Sequence, residues 1–293
     1  MSKNTSANML QKKLHPFIYL TRLIVGLATI ATLFVLVGLI SYILINGLPG
    51  VTWKFLTTAP SFLEQTYGIL PMIINTAYLV VLSLLICIPI GVGAALYLSE
   101  YAKQGKIVGS IRFAIEILSG IPSIVYGLFG ALFFVKFMGF GYSLLAGACT
   151  LSIIVLPVII RTTEESIKSV DVSYREAAMS LGVNRLHIIK TILLPCAIPG
   201  ILTAVILSIG RMVGESAALL ATSGTAYNMP NSVLSHINDS GATLTVQLYQ
   251  CFTERPPGMT ANTPLAIAAV LMILVFVLNM SATAIASAFR KKV

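Results

Sequence analysis

Charge is what this sequence has least of. Only 10% of its 293 residues are Asp, Glu, Lys or Arg, while 57% are hydrophobic, and the mean hydropathy is +0.92. Soluble globular chains carry roughly 25% charged residues, so a domain built to face water on all sides is excluded. Trp53 is the only tryptophan. The four cysteines show neither metal-ligand spacing nor a disulfide framework. Cys87, Cys149 and Cys196 lie in or beside apolar runs, as small packing residues do, and Cys251 stands in a polar stretch. A GxxxxGK[ST] phosphate loop is missing; Gly105-Lys106 lacks both the first glycine and the following Ser or Thr. His15, His187 and His236 are scattered, which argues against a metal site. The chain is therefore expected to be no enzyme and to bind no cofactor, and any energy it consumes comes from another chain. A formal charge of +9 could suggest nucleic acid, but the charges fall in short runs between apolar segments, which is a membrane pattern.

What fills the chain instead is apolar sequence, in segments at about 17–45, 69–98, 108–135, 139–160, 196–220 and 264–289. Each exceeds the ~18 residues that argue a spanning helix, so six spans are expected in an all-α membrane protein. The first run is too long for the roughly 7–15-residue core of a signal peptide and is read as retained. At ~1.5 Å per residue it reaches about 43 Å, more than the ~30 Å of bilayer hydrocarbon, so it tilts or projects. Of the 19 lysines and arginines, Lys54, Lys136 and Arg255 fall on one side, Arg211 lies inside the fifth span, and the other fifteen fall on the opposite side. That bias places the tails 1–16 and 290–293 and the loop 161–195 in the cytoplasm. The polar connection 46–68 and the loop 221–263 are then outside, with Trp53 at the membrane interface. The outer loop is too long for a simple link and is expected to carry short helices or a docking surface. Pro89, Pro122, Pro157 and Pro199 lie within spans, either as tolerated kinks or as joints of a bundle that rocks.

Two stretches carry chemistry. The polar-to-amphipathic island EAAMSLGVNRLHIIKTILLP runs from Glu176 to Pro195. Ser173 and Glu176 have capping-box spacing, Gly182 suits a helix C-terminus needing positive φ, and Asn184 can cap a second helix. Leu186, Ile189 and Leu193 form an apolar stripe on that helix, so the island reads as helix, turn, helix against a partner. The second stretch holds Arg211 and, four residues on, Glu215. Ionisable groups inside a span mark an ion or substrate path by default. Two readings stay open: a self-satisfied pair that locks the helix, or an arginine poised for a passing oxyanion with Glu215 holding it. A guanidinium fork donates two parallel hydrogen bonds to such an anion. Glu116 is read as an interfacial pair with Arg112, four residues earlier, and Asn75 as a bond to another helix or to substrate.

The island resembles the signature of inner-membrane permease subunits of ABC importers: Glu176-Ala177-Ala178, three residues, Gly182, nine residues, Ile192, one residue, Leu194-Pro195. In that family it is the coupling helix, docked in a groove of a nucleotide-binding subunit. Gly120-Ile121-Pro122-Ser123-Ile124-Val125-Tyr126-Gly127-Leu128-Phe129-Gly130 resembles the third-span signature of phosphate permeases. Arg211-Met212-Val213-Gly214-Glu215-Ser216-Ala217-Ala218 resembles their charged fifth-span motif, with Ser216 where Thr is usual. Length and the short N-terminal tail look more like PstA-type than PstC-type subunits. The resemblance implies a type I importer permease fold in a bacterial inner membrane, with both termini cytoplasmic. It implies phosphate passing Arg211, Glu215 and Ser216, and coupling through Glu176, Ala177, Ala178 and Gly182. Implied partners are a second, PstC-type permease, two ATPases that bind ATP and Mg, an external phosphate-binding protein and membrane lipid, with no nucleic acid. Other oxyanions (molybdate, sulfate, phosphonate), an ion-driven transporter acting alone, and a sensor scaffold are the competing expectations.

Overall fold

Hydrocarbon offers the backbone no hydrogen bonds, so apolar runs of this length satisfy their own amides as helices. The structure, a computed structural model, describes residues 16–61, 67–230, 235–254 and 259–290. Lys3, Lys12, Lys13, Arg255, Lys291 and Lys292 of the charge count, and His15, lie outside the described residues. The described residues hold no strand; an isolated bridge joins Tyr227 and Gly241. Helix α1 spans Pro16–Gly47, α2 Trp53–Thr57, α3 Leu70–Leu96 and α4 Lys106–Gly120. Then come α5 Ser123–Gly130, α6 Leu144–Lys168, α7 Val172–Ser180 and α8 Arg185–Ile188. Helices α9 Leu194–Val213, α10 Ala217–Thr222, α11 Leu244–Thr253 and α12 Thr263–Arg290 complete the set. Wide π turns extend three of them, at Tyr97–Tyr101, Ala131–Phe137 and Ile189–Leu193.

Five of these helical stretches are long and apolar enough to cross a membrane, and counting the bent pair α4–α5 as one makes six. Two expected spans are not continuous helices. The third, 108–135, breaks at Ile121–Pro122, where α4 and the Ser123–Phe137 stretch meet at 99°. Pro122 has no amide for the Leu118 carbonyl four residues back. Tyr126 hydroxyl donates to that carbonyl at 2.7 Å, and the Ile121 amide at 3.3 Å. The fifth, 196–220, ends at Val213, and Gly214, Glu215 and Ser216 interrupt it before α10. The fourth starts at Leu144 instead of 139, because Gly139 and Gly141 take φ +73° and +64°.

Helix α6 is the centre of the bundle. Its Leu151, Ile154, Val155 and Ile159 are buried in the main core with Leu79 of α3 and Met212 of α9. Ser83 and Ser152 donate to the Ala148 and Ser83 carbonyls across the α3–α6 contact at 3.2 and 3.1 Å, the polar glue of helices packed in lipid. Helix α1 leans on α12 alone among the long helices, and Leu27, Ile30 and Phe34 face outward. The outer loop 221–263, expected to carry short helices or a docking surface, does carry short helices, and the one at Leu244–Thr253 turns inward. Leu244, Val246 and Cys251 of α11 are buried, and Tyr67 hydroxyl lies 3.3 Å from Cys251 Sγ. Cys251 thus packs in the core and does not stand in a polar loop, because α11 returns into the bundle.

The two short helices that follow the breaks cross each other. A Cβ on Gly127 of α5 would sit 2.7 Å from Ala218 Cα of α10, a backbone atom that cannot swing aside. Gly127→Ala is expected to cost about 1–3 kcal/mol, as overpacking a tight core does. Gly93→Ala, where a Cβ meets nothing within 4 Å, serves as the control. Thermal unfolding of the two purified variants compares them; equal midpoints would show that this crossing is not tight.

Candidate functional site: the cytoplasmic island and the broken fifth span

The island folds as helix, turn, helix, with two corrections to its details. Asp171, not Ser173, caps α7, its Oδ1 accepting from the Ser173 amide at 2.9 Å, so the Ser173–Glu176 capping box is not formed. The Ser173 backbone amide, with help from its hydroxyl, holds the Asp171 carboxyl below its ordinary range. A lowered folded pKa means the cap contributes fully above the unfolded value and is lost as pH falls through the folded one. Gly182 takes φ +75° and closes a Schellman motif. Its amide bonds the Met179 carbonyl at 2.9 Å, and the Val183 amide bonds that of Ala178 at 3.2 Å. Asn184 caps α8 through the Leu186 amide.

The stripe Leu186–Ile189–Leu193 does not hold. Ile189 and Leu193 are buried, but Leu186 is 50% exposed and Ile188 takes its place. The π turn at Ile189–Leu193 inserts an extra residue and rotates the faces on either side of it. Val172, Tyr174, Met179 and Leu181 are exposed around Glu176, whose carboxylate has no ion-pair partner among the described residues. Of α7, Ala178 alone is buried, so Glu176 and Ala177 face outward.

At the other end of the same span, Arg211 occupies the last turn of α9, where a cation meets the free carbonyls of the helix. The expected Arg211–Glu215 pair is not formed. With the helix ended at Val213, Glu215 leaves the face of Arg211, and its Oε1 accepts instead from the Ala218 amide at 3.2 Å. The Glu215 carbonyl is held by Thr245 Oγ1 of α11 at 2.9 Å. Arg211 is half-buried and has no hydrogen-bond or ion-pair partner among the described residues. Ser216, half-buried, precedes α10, and Tyr126 lies within the electrostatic reach of Arg211. The break therefore presents a guanidinium with its donors unused, at the end of α9 and near Tyr126 of α5.

Other predicted partners also change. Arg112 pairs with Glu164 of α6 at 2.7 Å, not with Glu116. Lys168 joins the same carboxylate at 2.7 Å. Glu116 instead lines a cavity of ≈ 440 Å³ with Arg161 and Glu165. Asn75 is fully buried; its Nδ2 donates to the Ala242 carbonyl at 3.2 Å and its Oδ1 lies 2.7 Å from His236 Nε2. His236 reaches Asp239 at 3.2 Å through Nδ1, so Asn75 ties the outer segment to α3.

Residues 87–293 match a known family, whose description is binding-protein-dependent transport system inner membrane component. The chain belongs to that family. It is a multi-pass inner-membrane permease subunit of an ABC importer, a class that works with an ATPase and a substrate-binding protein as partners. The permease is 41% identical over 281 residues to the probable ABC transporter permease protein YqgI of Bacillus subtilis, covering 91% of this chain and 94% of that one. It is 34% identical over 258 residues to the phosphate transport system permease protein PstA homolog of Mycoplasma pneumoniae, covering 85% of this chain and 38% of that longer one. Among solved structures, a bacterial alginate ABC transporter superposes with a TM-score of 0.63 at 15% identity, covering 94% of this chain and 95% of that one. At that identity the likeness is one of fold.

In the permease, the second half of the island and the arginine sit on one continuous stretch, Arg185–Val213, while α7 and the Gly182 turn precede it. Nothing local to Thr245 or Glu164 signals its role. The signal for Tyr126 was Pro122, which frees a carbonyl for a hydroxyl four residues on.

Proposed function

We propose that this permease carries inorganic phosphate inward, past Arg211, in a complex with a PstC-type permease, two ATPases and an external phosphate-binding protein. The observation that carries the reading is the free guanidinium at the break in the fifth span. An uncompensated cation in the membrane is costly and persists where something pairs with it during function. A phosphate oxyanion accepts the two parallel hydrogen bonds of the fork, and no carboxylate has to be displaced first. Glu215 acts by shaping the loop, since its side chain caps α10 and its carbonyl is tied to Thr245. Ser216 offers a hydroxyl to the same anion. At the cytoplasmic end, Glu176, Ala177, Ala178 and Gly182 form the coupling surface, a short helix with an exposed acidic and apolar face. ATP binding on the partner shifts the paired permeases between two global states, and loaded binding protein biases the same equilibrium from outside. The relatives named for phosphate transport support this cargo.

The test is uptake of labelled phosphate by the reconstituted complex with sulfate or molybdate in competition. Inhibition by unlabelled phosphate alone is the expected result. Equal inhibition by molybdate or sulfate would reassign the cargo within the same oxyanion class.

A further inference from the structure

The coupling surface has to move something other than its own span, and the island meets the rest of the permease through an apolar cluster with Val170 and Leu96, through Arg185 over the Tyr101 ring, and through Arg175. Arg175 of α7 lies 2.8 Å from Glu100 Oε1, on the π turn Tyr97–Tyr101 at the inner end of α3, and donates to the Ile167 carbonyl at 3.1 Å. The same turn is gripped from its other side. Its Leu98 carbonyl accepts from Arg112 of α4 at 3.4 Å and from Gln104 at 3.2 Å, and Arg112 donates to Gln104 Oε1 at 2.9 Å. Arg112 also closes on Glu164 of α6. Helix α4 has little else to hold it, since Val108 is its one buried residue. It leads straight to the break at Pro122 and to α5, which packs on α10 and carries Tyr126 near Arg211.

We infer that Glu100 and Arg175 are positioning residues that carry displacement of the coupling island into α4, and so into the bent pair at the cargo break. The inference rests on the reading that the island docks an ATPase. Two features suit a moving joint. The pair is close but misaligned: Glu100 Oε1 and Arg175 Nε are both buried and neither makes a geometrically sound hydrogen bond. Charge contact without hydrogen-bond lock lets the pair re-form in a second arrangement, while separating it would leave a buried charge uncompensated. The turn that carries Glu100 is a π turn, a wide and locally adjustable helix end. The rival route runs directly from α8 into α9 and needs neither residue.

The reconstituted complex distinguishes the routes. Glu100→Gln and Arg175→Gln are each expected to keep the ATPase subunit and its hydrolysis, while uptake per ATP falls roughly 5–150-fold, the usual span of a coupling factor. The charge-reversed pair, Glu100→Arg with Arg175→Glu, is expected to restore most of the loss, which a merely structural defect would not allow. Wild-type uptake per ATP in both single variants overturns the inference, and so does a reversed pair as poor as the singles. Loss of the ATPase subunit from the single variants also overturns it, since the pair would then build the dock and not relay its movement. If the wild-type chain retains no ATPase subunit, the docking reading itself fails, and that outcome is separate from the others.

Discussion

Arg211→Ala is expected to abolish phosphate uptake and to leave insertion and assembly intact. Most intramembrane charges cannot be removed so cleanly. Removing Arg112, for example, would strip one of two cationic partners from Glu164, whose side chain is 9% exposed, leaving that buried carboxylate to Lys168 alone. Arg211 leaves no such orphan, because Glu215 already accepts from the Ala218 amide and no carboxylate lies within ion-pair distance of Arg211 among the described residues. The folded state therefore loses little, and the passing anion loses its fork. A drop of about hundredfold or more is expected, the scale on which loss of one preorganised anion donor acts. Arg211→Lys keeps the charge but not the paired donors and should fall between alanine and wild type. Normal uptake in the alanine variant would remove Arg211 from the path.

Glu176→Lys is expected to release the ATPase subunit. Glu176 is exposed, its side chain has no ion-pair partner within the described residues, and it stands among Val172, Tyr174 and Met179 on a helix that buries only Ala178. The permease itself gains nothing evident from a carboxylate there, so the reversal should leave its own fold unchanged. A partner groove facing that carboxylate would meet a like charge, and like-charge juxtaposition across an interface costs several kcal/mol. Loss of the ATPase subunit on co-purification, with the permease still monodisperse, is the predicted result. Retention of the subunit together with normal uptake would contradict the coupling role.

Much of the architecture was legible because two of its causes are written in composition. Long apolar runs become helices in lipid whatever their neighbours do, and Gly182 and Asn184 end and start helices by local geometry alone. The breaks were harder to read. Pro122 looks like Pro89, Pro157 and Pro199, yet those three sit inside continuous helices while the chain turns at Pro122. What separates them is tertiary: Tyr126 is at hand to take the freed carbonyl, and Gly127 admits α10. The spacing of Arg211 and Glu215 suggested a pair because an unbroken helix was assumed; Gly214 ends it. Long-range partners such as Glu164, Thr245 and His236 leave no local trace, since nothing near them in sequence names the helix they meet.

Accumulation of labelled phosphate in liposomes holding the whole complex, with ATP supplied on the ATPase side, tests the central claim most directly. The account predicts uptake above the outside concentration that requires ATP and loaded binding protein together and collapses when hydrolysis is blocked. Accumulation driven by an imposed ion gradient, with no ATP and no partner ATPase, would contradict it.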